Sequence, residues 1–176
     1  MLTLQAFNQL PFAQYPQLLT IWPEPSNTNM QIGYRLDIEG MKERSELDLG
    51  LMYLIKKDDA VIGITGLFII YDDEEDRPYN PELKTAYLRW HGVIPAYRGQ
   101  GYAREALRLM LTYAKEKYPM LQTLIELIPQ APYALYLNEH FAKQGFIPVG
   151  MREKYDWSEN EWQPYHLDVE KYLKTD

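Results

Sequence analysis

Val93-Ile94-Pro95-Ala96-Tyr97-Arg98-Gly99-Gln100-Gly101-Tyr102-Ala103 carries the chain from an apolar strand through a glycine-rich turn into an amphipathic helix. A helix start leaves backbone N–H groups without intrahelical partners and carries partial positive charge, so a phosphate placed there gains several hydrogen bonds. Gly99 and Gly101 have no Cβ, which lets them take positive φ and lets ligand oxygens approach the main chain. Upstream, Ala86 to Ile94 is rich in aromatic and branched residues, and Pro95 biases Ile94 toward extended backbone. Downstream, Ala103, Leu107, Met110, Leu111 and Ala114 recur at helical spacing, while Arg104, Arg108, Lys115 and Glu116 lie elsewhere on the wheel; Pro119 limits the far end. Strand, loop and helix in this order call first for a phosphate-bearing ligand.

Two well-known phosphate loops are excluded by their own chemistry. A P-loop needs Gly-Lys followed by Ser or Thr, whereas Gly101 is followed by Tyr102 and Ala103. A dinucleotide loop needs a third glycine where this chain has Arg104. The spacing that fits is Arg98-Gly99-Gln100-Gly101-Tyr102-Ala103, which resembles the (Gln/Arg)-x-x-Gly-x-(Gly/Ala) signature of the GNAT N-acetyltransferase superfamily. That resemblance implies that Arg98, Gly99, Gln100, Gly101, Tyr102 and Ala103 hold the pyrophosphate of acetyl-coenzyme A.

The order of the later segments agrees with it. A strand-like Leu121 to Ile128 leads into a helix-like Tyr133 to Gln144, and Gly145-Phe146 opens another extended segment, similar to the second conserved region of that superfamily. The likeness runs from about Ala60 to the C-terminus, and the first third of the chain matches no specific motif. Leu2 to Ala6 reads as a strand, Leu10 to Trp22 as a helix stopped by Pro23 and Pro25, and 32–49 as a helix broken near Gly40. Met52 to Lys56 and Ala60 to Tyr71 read as antiparallel strands joined at Lys57-Asp58-Asp59, with Gly63 and Gly66 as bulge sites. Phe146 to Lys154 and Glu161 to Tyr172 read as the last two strands. The expectation is an α/β fold with a strongly twisted mixed sheet flanked by helices, in the order β-α-α-β-β-β-α-β-α-β-β, over one domain spanning 1–176.

Composition narrows the function. The 176 residues are 46% hydrophobic, enough for one well-buried core. Lys and Arg number 18 against 25 Asp and Glu, a net charge of -7, which is the wrong sign for nucleic acid and the right one for a cationic acceptor. The run Asp72-Asp73-Glu74-Glu75-Asp76 is a solvated loop on the plainer reading and an attractive lip for cations on the sharper one. The chain has no cysteine, so a route through a cysteine thioester is closed. No apolar span is long enough for a bilayer and Met1 to Phe12 lacks signal-peptide character, so the expectation is a cytoplasmic protein without membrane attachment. Three scattered histidines show no ligand spacing, so no metal is expected. A homodimer is compatible with all of this.

The resemblance implies an acyl-CoA-dependent N-acyltransferase, acetyl-CoA being the donor and a primary amine of a small molecule or a protein N-terminus the acceptor. Direct attack in a ternary complex requires orientation, a proton acceptor and donors for the oxyanion and thiolate. By position the resemblance assigns main-chain groups of Val93 and Ile94 to the thioester carbonyl and pantetheine. Glu126 interrupts Leu124-Ile125-Glu126-Leu127-Ile128, where desolvation would raise its pKa toward that of a base, and it matches a strand glutamate that some relatives use. An exposed or ion-paired Glu126 is the competing reading. His91, two residues before Val93 on the same strand face, is the second base candidate, against ordinary packing. The position where the superfamily usually carries an acid tyrosine holds Phe141, which leaves Tyr136 or Tyr133 as substitutes, or a thiolate that leaves unaided. The missing hydroxyl keeps a second class open, a catalytically silent acyl-CoA-binding or sensing module.

Overall fold

Alternation in the second and third strands builds the molecule around a single sheet with two apolar faces. The computed structural model describes residues 1–7, 11–22, 50–68, 84–132, 134–154 and 160–175. Among these, the strands are β1 (Leu2–Ala6), β2 (Gly50–Lys57), β3 (Ala60–Phe68), β4 (Thr85–Val93), β5 (Thr123–Pro129), β6 (Ile147–Pro148), β7 (Glu153–Lys154) and β8 (Glu161–Asp168). The sheet order is β1-β2-β3-β4-β5-β8-β6, with β7 also on β8. Every pairing is antiparallel except β4 with β5, whose crossover is the helix α1 (Tyr102–Lys117). The helices α2 (Tyr136–Lys143) and α3 (Val169–Lys174) complete a mixed α/β fold whose sheet is mainly antiparallel.

Residues of one strand go to different clusters as the pleat requires. Met52 and Leu54 join Phe12, Leu18, Ile21, Trp22, Ile64 and Trp90 on one side. Ile55 and Ile62 join Val93 and Ala106, and Leu67, Ala86 and Leu88 join Leu107, Met110 and Leu111, on the side of α1. The apolar stripe read on α1 is therefore its buried face: Ala106, Leu107, Met110, Leu111 and Ala114 are all fully buried.

Several expected elements are redrawn. In place of a helix over Leu10 to Trp22 there is a 3-10 turn at Pro16–Ile21, since Pro11 and Pro16 cannot donate to a helical ladder; residues 8–10 lie outside those described. The second helix is Tyr136–Lys143 rather than Tyr133 to Gln144, with Tyr133 itself undescribed. Phe146 to Lys154 is two short strands around Gly150, whose φ is +69°. The last strand stops at Asp168, whose carboxylate accepts from the Lys171 N–H at 2.9 Å and caps α3. The helix expected at 32–49 and the acidic run at 72–76 lie outside the described residues. The turn at Lys57-Asp58-Asp59 is present, with Asp58 at φ 54°.

Two glycines allow β3, β4 and the 3-10 turn to approach more closely than side chains would permit. A Cβ on Gly63 would stand 2.3 Å from the carbonyl oxygen of Gly92, and one on Gly92 would stand 2.5 Å from Cγ2 of Ile21. Backbone cannot yield as a flexible side chain can. Gly63→Ala is expected to destabilise the protein by about 1–3 kcal/mol, seen as a lower urea midpoint at unchanged slope.

Candidate active site

The parallel pairing of β4 with β5 is short. Rungs form at Thr85–Thr123, Ala86–Leu124 and Tyr87–Ile125, and there they end. β4 continues through Val93 and β5 through Pro129, so the two strands part and leave a gap whose vertex lies just beyond Tyr87 and Ile125. From Leu88 to Val93, six residues at ~3.3 Å each give the β4 arm of this gap a length of ~20 Å.

A bulge in β4 accompanies the parting. Ile64 faces Gly92 and Gly66 faces Arg89, so Thr65 of β3 stands opposite both Trp90 and His91. Trp90 takes φ 47°, an unusual conformation for a bulky residue and one that concentrates at functional positions. The extra residue inverts the alternation. Ala86 and Leu88 face α1, Trp90 joins the opposite cluster, and His91 and Val93 turn back toward α1 and α2.

The bulge also decides which main-chain groups face the gap. The Ile94 N–H bonds the carbonyl of Ile62 at 2.8 Å, and its own carbonyl accepts from Tyr97 N–H at 3.0 Å. Antiparallel ladders alternate, so Val93, between two residues bonded to β3, directs its N–H and carbonyl away from β3 and into the gap. Of the two residues expected to offer main-chain contacts, Val93 turns its N–H away from β3, whereas the Ile94 N–H and carbonyl are engaged within the fold.

At the open end of β4 the chain enters the loop. Gly99 and Gly101 have φ +72° and +82°, and a Cβ on either would meet no protein atom within 4 Å. Gly101 is the N-cap of α1, has no side chain to cap it, and accepts the first helical bond from Glu105 N–H at 3.0 Å. The N–H groups of Tyr102, Ala103 and Arg104 therefore begin the helix without an i−4 partner. Open space over two left-handed glycines and an uncapped helix start is what a pyrophosphate needs, so these residues fit the phosphate portion of coenzyme A. The other loop residues brace this shape. The Arg98 guanidinium donates to the carbonyl of Ile21 at 2.9 Å and lies 3.5 Å from those of Thr20 and Val93. Gln100 Nε2 donates to the Ala96 carbonyl at 3.4 Å, the Tyr102 ring pairs with Tyr97 at 6.2 Å, and Ala103 packs against the cluster containing Val93.

α2 lies across both arms of the gap and is fastened to each. Toward β5 and β8, Asn138 Oδ1 accepts from the Tyr165 hydroxyl at 3.1 Å and from Gln130 Nε2 at 3.4 Å. Toward β4, Gln144 Oε1 lies 3.2 Å from His91 Nε2, and His91 Nδ1 lies 3.0 Å from the Thr65 hydroxyl. All three of Thr65, His91 and Gln144 are buried. Burial, aided by the nearby His140, pushes the His91 pKa down to about 4, so this imidazole is neutral with both nitrogens engaged. Tyr136, at the start of α2, is half-exposed; desolvation raises its pKa against the lowering effect of Arg98, so its hydroxyl keeps its proton. Phe141 is buried edge-on against Phe146.

Glu126 is the first residue of β5 beyond the last rung to β4. It stands opposite Tyr165 of β8 on the strand face of Leu124 and Ile128, both fully buried. Desolvation pushes its carboxyl up to about 8 although the Arg89 guanidinium acts to lower it. The gap thus has an uncapped glycine-rich helix start at its mouth, a main-chain N–H turned away from β3 along one arm, and at its vertex a carboxyl whose pKa is raised to about 8. Thr65, Gln144 and the Trp90 bulge carry no motif. Strand register places Thr65 and Trp90, and the docking of α2 places Gln144; the nearest signals in the sequence are Gly66 and the aromatic Trp90 beside His91.

The Acetyltransferase (GNAT) family model matches residues 12–146. The chain belongs to the GNAT acetyltransferase family. Solved structures share this GNAT fold at low identity. An acetyltransferase of the GNAT family from Desulfovibrio desulfuricans matches with TM-score 0.69 at 12% identity, over 96% of this chain and 99% of its own. A chimera of spermidine N-acetyltransferase SpeG from Vibrio cholerae and hSSAT matches with TM-score 0.65 at 15% identity, over 99% of each chain. An acetyltransferase from Streptococcus agalactiae matches with TM-score 0.62 at 16% identity, over 95% and 98%. A comparison with curated protein sequences finds no match. As a GNAT enzyme the chain is an acyl-CoA-dependent N-acetyltransferase. Among the described residues no group of three or more His, Cys, Asp or Glu gathers that could hold a metal ion, and no helix is long and apolar enough to cross a membrane.

Proposed function

We propose that this chain transfers the acetyl group of acetyl-CoA to a primary amine by direct attack in a ternary complex, with Glu126 as the base. The observation that carries the reading is the alignment of three features along one gap: the uncapped glycine loop, the Val93 N–H turned away from β3 and the high-pKa carboxyl of Glu126. The amine nitrogen attacks the thioester carbonyl carbon, the ionised form of Glu126 takes the amine proton, and the Val93 N–H supports charge on the carbonyl oxygen. The C–S bond then breaks and the thiolate leaves with its electron pair. The absence of cysteine removes the acyl-cysteine route, which supports direct attack.

A cationic amine suits the net charge of -7. Spermidine N-acetyltransferases of Vibrio cholerae share the fold, and one of those structures is described as dodecameric. A polyamine-like small molecule is therefore the first acceptor to test, a protein N-terminus the second, and self-association the assembly to look for by light scattering. The whole of 1–176 acts as one catalytic domain in this reading.

A thermal-shift titration with acetyl-CoA, coenzyme A and ATP tests the coenzyme. A ligand at 100 times its Kd stabilises by about 2.7 kcal/mol, so both CoA species are expected to raise Tm clearly while ATP does not. No rise with either CoA species overturns the proposal. Binding without release of coenzyme A across polyamines, small amines and peptides would instead favour a silent acyl-CoA-binding module.

A further inference from the structure

The chain Thr65–His91–Gln144–His140 runs from the floor of the sheet to the outer part of α2. Its last link is short: Gln144 Nε2 stands 2.8 Å from His140 Nε2. With the amide of Gln144 in this orientation each tautomer follows. His91 Nε2–H donates to Gln144 Oε1, so His91 Nδ1 accepts from Thr65, whose hydroxyl also lies 3.3 Å from Met110 Sδ. The single Thr65 proton goes to the imidazole, the better acceptor. Gln144 Nε2–H then donates to His140 Nε2, so the His140 proton sits on Nδ1.

Among the described residues that proton is not used. Among the described residues His140 Nδ1–H has no hydrogen-bond partner, although the ring is half-buried against Phe141 at 5.3 Å. A half-buried donor left over at the end of a satisfied chain is open to an acceptor from outside. Its place narrows the choice. His140 is one amide away from His91 at the β4 bulge, and its pKa is lowered by burial first, then by the charges of Arg98 in the glycine loop and of Lys143. Tyr136, four residues earlier on the same helix face, also feels Arg98. Through Gln144, His140 is thus joined to His91, two residues before Val93 on the β4 arm of the gap.

We propose that His140 donates its Nδ1–H to the sulfur of coenzyme A, with Gln144, His91 and Thr65 as the positioning residues that fix its tautomer. The proposal rests on the acetyl-CoA reading above. Charge develops on sulfur as the C–S bond breaks, and a neutral imidazole stabilises it by hydrogen bonding without giving up its proton; the thiolate takes a proton from solvent after release. Burial first, then the charges of Arg98 and Lys143, lower the His140 pKa and so favour the neutral imidazole, and positive potential acts in the same direction on a thiolate.

The test is an ultraviolet titration of the thiol of coenzyme A bound to the full chain, following thiolate absorbance with pH. The thiol should titrate about one unit lower on the parent than on His140→Leu, about a tenfold loss of thiolate stabilisation. Gln144→Leu should shift the titration in the same direction as His140→Leu while His140 is still present, which a merely packed glutamine would not do. Identical titrations in parent and His140→Leu overturn the proposal, and an unchanged Gln144→Leu overturns the positioning role. Failure of the parent to bind coenzyme A at all removes the acyl-CoA reading, and this inference with it. Circular dichroism melts of both variants identify any loss of fold.

Discussion

Gly101→Val is expected to abolish detectable binding of acetyl-CoA and coenzyme A while leaving a folded protein. Gly101 sits at φ +82° with nothing within 4 Å of a built Cβ, so the valine would clash with no protein atom. Two costs remain. A β-branched residue is strained at positive φ, by about 1–3 kcal/mol, and its methyl groups fill the space over the first turn of α1 that phosphate oxygens need. The first cost is small beside the stability of a domain, and the second falls wholly on the ligand. Isothermal titration should find affinity weakened at least about a hundredfold, since a phosphate cradle gains from several charge-assisted hydrogen bonds together. Retained affinity would mean that the coenzyme does not use this loop.

Glu126→Gln is expected to lower kcat by about 10²–10⁴ with coenzyme affinity unchanged, the range for loss of a general base. With its pKa at about 8, the parent carboxyl is mostly protonated at pH 7, so kcat/KM should rise with pH and level off above about 8. The glutamine variant should lose that rising limb. The same substitution should affect stability in the opposite direction. An unfolded chain ionises this group near 4.5, whereas the folded protein resists ionisation until about 8. Between these values the folded state binds more protons than the unfolded one, so the group's contribution is full below 4.5 and is lost as pH rises to 8. Glu126→Gln carries no such burden, and its Tm should exceed that of the parent most clearly at pH 8 and above. A variant slower yet more stable is the pattern of a residue kept for chemistry. Equal rates in parent and variant would return Glu126 to a packing role.

The loop, its flanking strand and α1 were legible because their determinants are local. Glycine permits positive φ, proline shapes its predecessor, and a stripe at helical spacing marks the buried face, whatever the rest of the chain does. The anomaly of a carboxylate within Leu124-Ile125-Glu126-Leu127-Ile128 was equally readable. Readings that depend on where a neighbour ends fared less well. Nothing in Glu161 to Tyr172 says that β8 has partners only as far as Asp168, after which α3 is the better use of the backbone, and Leu10 to Trp22 looks helical until its prolines reduce it to a 3-10 turn.

The sequence by itself determined which residues could do the chemistry: a phosphate-binding turn, one misplaced glutamate, a buried-strand histidine, and no cysteine. Only the tertiary structure decided what each is placed to do. The β4 bulge turns His91 toward α2, where Thr65 and Gln144 occupy both its nitrogens, and the end of the β4–β5 ladder at Tyr87 and Ile125 sets Glu126 at the vertex of a gap. Register and bulges are properties of paired strands. They are fixed by contacts between segments distant along the chain, such as Thr65 with His91 and His91 with Gln144, and no local pattern of residues records them.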